Sequence, residues 1–198
     1  IAGDVTEVLR TLLPWVQPTL RKRWLSHVAG LKSQHPLQTP GIDDPRTHYG
    51  LISAVAAALN DEATVTTDVG QHQMWVAQAY PLRRARQWLT SGGLGTMGFS
   101  VPAAIGAKVG RPDRMVWAID GDGCFQMTAQ ELVTAAAERI PVKIAILNNA
   151  YLGMVRQWQE MFYEERYSEV YLSPDLPDYV KWAEAMGCVA FRVEHPDD

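Results

Sequence analysis

Several markers of a specialised chain are missing from these 198 residues. There are only two cysteines, Cys124 and Cys188, too few for a disulfide framework. They suit a reducing cytosol, and both read first as packing residues. There is no excess of either charge: a formal net charge of −4 gives no basic surface for nucleic acid. No apolar run approaches 18 residues, so no membrane partner is expected. Repeats and low-complexity tracts are absent. The chain opens IAGDVTEVLR, without the basic start and apolar stretch of a signal peptide, and without a Met. It enters a helical pattern at once and reads as a piece of a longer, cytoplasmic protein. What remains is 47% hydrophobic, an ordinary core-forming composition for one large domain, or one domain plus a piece.

Val5, Val8, Leu9, Leu12 and Leu13 recur at helical spacing until Pro14. A second helix is expected over 20–31, with Arg21, Lys22 and Arg23 on a solvated face. Residues 32–50 hold three prolines and two glycines without periodicity, the composition of a linker. Beyond it, helical and buried-strand patterns alternate. Helices are expected over 51–59, 73–79, 102–109, 126–138, 152–163 and 179–186. Strands are expected at ATVTTDVG, MVWAID, VKIAILN and CVAFRV. Strands apolar on both faces, alternating with helices, predict a mostly parallel sheet covered on both sides, a three-layer α/β/α architecture. Ligands of such sheets sit at the C-terminal ends of the strands.

Gly93, Gly95 and Gly98 spell G-x-G-x-x-G, and Asp120 follows 22 residues later, the pattern of a dinucleotide site. That reading needs a buried strand before the glycines. The preceding RRARQWLT is too charged for a central strand, and Asp120 opens a second acidic, glycine-rich turn, DGDGCF. NAD is therefore rejected.

A stronger pattern is Gly121-Asp122-Gly123, then 24 residues, then Asn148-Asn149. Each end follows a buried strand, with helix between, so a parallel sheet sets Asp122 and Asn149 side by side at one edge. A carboxylate and an amide oxygen aimed at one point suit a hard cation. Mg²⁺ takes six oxygens: one carboxylate, one amide, one main-chain carbonyl and a water leave two places for a diphosphate. A helix starting near Cys124 also favours phosphate. Either motif alone would read as a turn or a helix cap.

The G-D-G to N-N motif resembles the cofactor motif of thiamin-diphosphate-dependent enzymes. With DVGQHQMWVAQ, SGGLGTMGFSVPAAIGAK, DGDGCFQMTAQEL and GMVRQWQEMFYEERYS, it resembles the large catalytic subunits of the acetolactate synthase family. The resemblance covers residues 45–198, the thiamin-diphosphate-binding fold. Residues 1–44 are similar to the end of that family's central domain plus a linker.

The resemblance implies thiamin diphosphate and Mg²⁺ as cofactors. Asp122, Asn149 and the Tyr151 carbonyl would hold the metal. Gly121, Gly123 and Cys124 would meet the diphosphate, with Val69, Gly70, Gln71 and His72 closing from another loop. Gly95 would accept a hydrogen bond from the aminopyrimidine, and Met97 would support the bent cofactor. Gly153 and Met154 would complete the cofactor pocket. Met154 and Trp158, four apart on one helix face, would receive the second keto acid, although by themselves they read as core packing. His72 lies between two glutamines after a strand end, which suggests a polar, ligand-facing loop.

The implied reaction is decarboxylation of pyruvate and its condensation with pyruvate or 2-ketobutyrate, in branched-chain amino-acid biosynthesis. A homodimer or homotetramer with a small regulatory subunit is implied for the full-length protein. The family's catalytic glutamate belongs to an N-terminal domain, and its FAD to a central domain of which these residues carry little. The expectation is a half-site without a catalytic residue of its own, inactive alone. Two other readings stand beside it. One is another thiamin-dependent decarboxylase, carboligase or pyruvate oxidase, against which Trp158 and GQHQMW argue. The other is a non-catalytic cofactor-binding and dimerisation module.

Overall fold

A computed structural model describes residues 3–59, 62–173, 175 and 177–195. They fall into two units, 1–38 and 39–198. The first unit holds α1 (Val5–Leu12), a single 3₁₀ turn (Leu13–Trp15) and α2 (Lys22–Gln34). Asp4 caps α1: its carboxylate accepts the main-chain N–H groups of Thr6 and Glu7. Pro14 diverts the chain into the 3₁₀ turn, since it has no N–H to extend the helix. No residue of either helix is buried.

The second unit begins with α3 (His48–Ala58), capped by Thr47, whose hydroxyl accepts the Gly50 N–H. There follow β1 (Thr64–Thr67), α4 (Gln71–Ala79), β2 (Trp88–Thr90), α5 (Ser100–Gly110) and β3 (Val116–Gly121). The chain continues through α6 (Asp122–Thr128), α7 (Glu131–Ala137), β4 (Lys143–Leu147), α8 (Gly153–Phe162) and α9 (Tyr179–Ala185). The four strands are all parallel, in the order β2-β1-β3-β4. All four residues of β1 are buried, as its place between two strands requires. Its hydroxyls are satisfied inside: Thr66 Oγ1 donates to the Ser100 carbonyl, and Thr67 Oγ1 accepts from the Trp88 indole at 2.9 Å.

Apolar side chains cover both faces of the sheet, which makes the expected three layers. Ile52, Val65, Val76 and Ile119 form one core with α3 and α4. Val101, Phe125, Leu132 and Ala135 form the other, closed by Tyr179 and Trp182 of α9. The chain moves outward from β1 to β2, then crosses back to β3 and on to β4. The strand order therefore reverses between β1 and β3. The crevice beyond their C-terminal ends is where a parallel sheet leaves room for a ligand.

Four expectations need correction. A strand does precede the glycines: β2, three residues long, half-buried and at the sheet edge, where a charged lead-in is tolerated. NAD remains unsupported, because β1 lies between β2 and β3 and keeps Asp120 from the glycine turn. The helix expected over 126–138 starts at Asp122 and is broken at Ala129–Gln130 into α6 and α7. α4 starts two residues early, so Gln71 and His72 lie in its first turn rather than in a loop. Residues 188–193 are not a strand: no neighbouring strand offers them a ladder, and Val189, Phe191 and Val193 stay exposed.

Candidate functional site

The register of the sheet builds the site. Ile119 pairs with Thr67 and Gly121 with Leu147. The next residues along, Asp68-Val69-Gly70, Asp122-Gly123 and Asn148-Asn149, therefore leave the sheet at the same edge. A cavity of about 180 Å³ opens there. From β1 and α4 it is lined by Val69, Gly70, Gln71, His72 and Trp75. The glycine turn contributes Gly95 and Met97, and the β3–α6 junction contributes Gly121, Asp122, Gly123 and Cys124. Leu147, Asn149, Tyr151 and the start of α8, with Gly153 and Met154, close it. Thus every expected site residue lines one cavity except Trp158. Trp158 is 56% exposed one turn further along α8, with its ring 5.3 Å from that of Phe162.

Asp122 is 2% exposed, and its Oδ2 has no hydrogen-bond partner among the described residues. Burial raises its pKa, while main-chain N–H groups of its own turn and of Asn149 and Ala150 act in the opposite direction. A buried carboxylate oxygen left bare is costly. A cation beside it removes that cost. Asn149 Oδ1 accepts the Tyr151 N–H at 3.0 Å and keeps a second lone pair for a metal. Between these two residues Ala150 stands at φ 59°, a left-handed conformation that costs a non-glycine residue about 1–2 kcal/mol. That turn carries the Asn149 amide oxygen and the Tyr151 carbonyl.

His72 is pressed between two glycines. A Cβ at Gly70 would come within 2.9 Å of the imidazole, and one at Gly121 within 3.0 Å. A side chain at either place would force the ring to shift. Burial lowers the His72 pKa to about 4 against the upward pull of Asp68, so the imidazole is neutral at pH 7. At Gly153 a side chain would run into Gln71 and Asn149. Gln71 Nε2 in turn donates to Gln157 Oε1 at 3.1 Å, which ties α4 to α8.

Two buried carboxylates took no part in the sequence-based site. Asp68 accepts the N–H groups of Val69, Gly98 and Ser100 at 2.8–3.0 Å. Asp120 is fully buried; burial first, then the Asp68 charge, lifts its pKa to about 8. The DVG and DGDG stretches showed both acids, but their burial depends on β1 and β3 being neighbours. A larger hollow of about 590 Å³ lies along 20–27. Its walls, including Arg21, Lys22 and Arg23, are all exposed and come from a single segment, so it holds no buried chemistry.

Residues 68–198 match the family described as "Thiamine pyrophosphate enzyme, C-terminal TPP binding domain". The whole chain is 51% identical to an acetolactate synthase of Mycobacterium leprae (strain TN), and covers 33% of it. It is 47% identical, again over its whole length and 33% of the relative, to an acetolactate synthase large subunit of Corynebacterium glutamicum. Over 83% of its length it is 54% identical to the acetolactate synthase isozyme 1 large subunit of Escherichia coli (strain K12), of which it covers 29%. The chain thus spans about a third of the length of these relatives. With a parallel sheet whose strand order reverses at a cavity, and a family match over two thirds of its residues, this chain belongs to the thiamine pyrophosphate enzymes and carries their C-terminal TPP-binding domain.

Proposed function

We propose that this chain supplies the diphosphate and Mg²⁺ half of an acetolactate synthase active site. The observation that carries the reading is Asp122 Oδ2, buried and unpaired on a cavity shared with Asn149 and Tyr151. In this reading the Asp122 carboxylate, the Asn149 amide oxygen and the Tyr151 carbonyl hold Mg²⁺. The main-chain amides of Gly123 and Cys124 receive the diphosphate. Gly121 and the 69–72 segment wall its other side. When bound, thiamin diphosphate supplies a thiazolium carbon able to act as a carbanion, chemistry that belongs to the cofactor. The residues here bind and orient: Gly95 and Met97 take the aminopyrimidine side, and Gly153 lets α8 approach the diphosphate. Met154 and exposed Trp158 stand where a second keto acid would enter.

The cavity of about 180 Å³ is smaller than the roughly 300–1,000 Å³ that encloses a whole organic ligand. No glutamate lines it among the described residues. Both observations support a half-site that needs a second wall. The relatives' name, acetolactate synthase, supports acetolactate as the product; pyruvate as donor and pyruvate or 2-ketobutyrate as acceptor are proposed with it. The words "large subunit" in two of those names support a smaller subunit for the whole protein; its self-association, and residues 1–44 as the end of another domain, are proposed with it. FAD is left to the whole protein. The reducing cytoplasm is the expected compartment, in keeping with two unpaired thiols. No helix among the described residues is long and apolar enough to cross a membrane.

Calorimetric titration of thiamin diphosphate into the chain tests this reading. Binding should require Mg²⁺ and disappear in Asp122→Ala. Binding that ignores Mg²⁺, or survives Asp122→Ala, would overturn the metal assignment. Acetolactate formed from pyruvate by these 198 residues alone would overturn the half-site.

A further inference from the structure

After α8 the chain runs back along that helix. Tyr167 Oη donates to Glu160 at 3.0 Å, and Ser168 pairs with Gln159 twice: its N–H donates to Oε1 at 3.2 Å and its carbonyl accepts from Nε2 at 3.1 Å. The returning segment then reaches the turn that carries Asn149 and Tyr151. The Leu152 N–H donates to the Val170 carbonyl, and the Leu172 N–H donates to the Ala150 carbonyl, each at 2.8 Å. Val170 is 2% exposed. Leu172 and Leu152 fill the space over Gly123, where a Cβ would come within 3.1 and 2.7 Å of them.

We propose that the main chain of 170–172 is a positioning element for the metal site: it clamps Ala150 and Leu152 so that the Tyr151 carbonyl faces the cavity. The proposal rests on the reading of that carbonyl as a donor to Mg²⁺. Tyr151 and Tyr171 stand opposite each other in an antiparallel bridge, with one hydrogen bond on either side of the pair. In such a pair the two central residues do not bond to each other, and their own N–H and C=O groups point away from the partner segment. The Tyr151 N–H accordingly turns to Asn149 Oδ1 at 3.0 Å. The Tyr151 carbonyl lies on that same side and accepts no hydrogen bond among the described residues. Tyr151 lines the cavity, as does Asn149.

Ala150 shows why the turn needs a clamp. A left-handed backbone at a non-glycine residue persists only where its surroundings impose it. Here the Leu172 N–H holds the Ala150 carbonyl directly. Without that bond Ala150 relaxes towards right-handed backbone. The peptide planes on either side of it then rotate, and the Asn149 amide and the Tyr151 carbonyl no longer converge. The clamp lies outside the Gly121–Asn149 motif, on a segment that contributes no residue to the cavity wall. It acts on the metal through Tyr151 and Ala150, without touching it.

Leu172→Pro removes the N–H and leaves the Gln159–Ser168 and Leu152–Val170 bonds in place, whereas Leu172→Ala keeps it. Calorimetry reads the Mg²⁺ concentration that half-saturates thiamin diphosphate binding in each chain. Leu172→Pro should need about tenfold more Mg²⁺ than the wild type, the loss typical of an outer partner of a metal ligand. Once Mg²⁺ saturates, its affinity for thiamin diphosphate should return to within about twofold of the wild type, which a general loss of structure would not allow. Leu172→Ala should stay close to the wild type in both. Coupling is reciprocal, so in the unaltered chain Mg²⁺ with thiamin diphosphate should slow hydrogen exchange of the Leu172 amide. The Arg111 amide, bonded to Ala107 before β3 at the far end of the sheet, should not respond. An unchanged Mg²⁺ requirement in Leu172→Pro, an equal loss in Leu172→Ala, or Leu172 exchange indifferent to the ligands would each overturn the positioning role. Binding by the wild type that ignores Mg²⁺ would instead overturn the metal assignment beneath it.

Discussion

The carboxylate of Asp68 accepts the main-chain N–H of Ser100 at 2.8 Å, joining the end of β1 to the first residue of α5. Its other oxygen accepts the Gly98 N–H at 3.0 Å. One side chain thus caps a helix more than thirty residues away and anchors the glycine turn that carries Gly95 and Met97. The turn has no packing of its own to hold it: Gly92 to Thr96 are exposed.

Asp68→Ala should therefore be among the costlier single changes. It strands two buried N–H donors and a half-buried third, and removes charge-assisted bonds each worth about 1.5–3 kcal/mol. A loss of about 3–5 kcal/mol in urea unfolding is expected. A loss below about 1 kcal/mol would show that the turn is held by something else.

Asp122→Ala should behave in the opposite way. Because Asp122 Oδ2 satisfies no partner, and the N–H groups that favour its charge are set against the larger cost of burying it, the metal-free protein should keep its stability to within about 1 kcal/mol. What disappears is the gain on adding Mg²⁺ and thiamin diphosphate, about 2.7 kcal/mol at a hundredfold excess over Kd. Thermal melting of both proteins, with and without ligands, separates the two effects.

His72 gives the chain an acid sensitivity of defined sign. Its folded pKa, about 4, lies below the ordinary 6.5. Between those values the unfolded chain binds a proton that the folded chain refuses, so stability falls as the pH falls. From pH 6.5 to 4.5 the wild type should lose about 2–3 kcal/mol more than His72→Gln, at about 1.4 kcal/mol per pH unit. Parallel curves for the two proteins would contradict this.

Arg156 holds down the segment after α8. Its guanidinium lies 4.2 Å from the Tyr151 ring centroid and 5.3 Å from that of Tyr167, and Nε donates to Glu160 at 2.9 Å. Tyr151 is also bridged to Tyr171. Arg156→Ala should cost about 1–2 kcal/mol, with each exposed cation–π contact worth about 0.5–1 kcal/mol. Limited proteolysis should cut 163–169 several times faster. An unchanged rate would mean that the Tyr151–Tyr171 bridge holds the segment by itself.

The Asp122–Asn149 half of the site was legible because its spacing is a direct consequence of two adjacent parallel strands. Once β3 and β4 are recognised as buried, the residues after them have to emerge together. Asp68 was not legible, because nothing in DVG shows a capping contact thirty residues away. Asp120 was set aside as a ribose ligand on the DGDGCF turn alone, and the sheet order agrees by placing β1 between it and the glycines. β2 was hidden because RRARQWLT is too charged for a central strand, and its place at the sheet edge is what tolerates those charges. CVAFRV failed for the converse reason: alternating apolar residues make a strand only where a neighbour completes the ladder. His72 was found by resemblance, but its burial against two glycines is visible only in space.

The order of the strands also bears on how the protein acquires its site. β1 can complete its pairing only when β3 arrives, about fifty residues later, as in Thr66 with Ala118. Contacts of such long sequence separation form slowly during folding. No local intermediate, such as a β3–β4 unit formed early, can enclose the cavity, because Val69 to His72 belong to the other side of the sheet. Ligand capture should then appear only in the last kinetic phase of refolding, and cofactor binding becomes a clock for completion of the sheet.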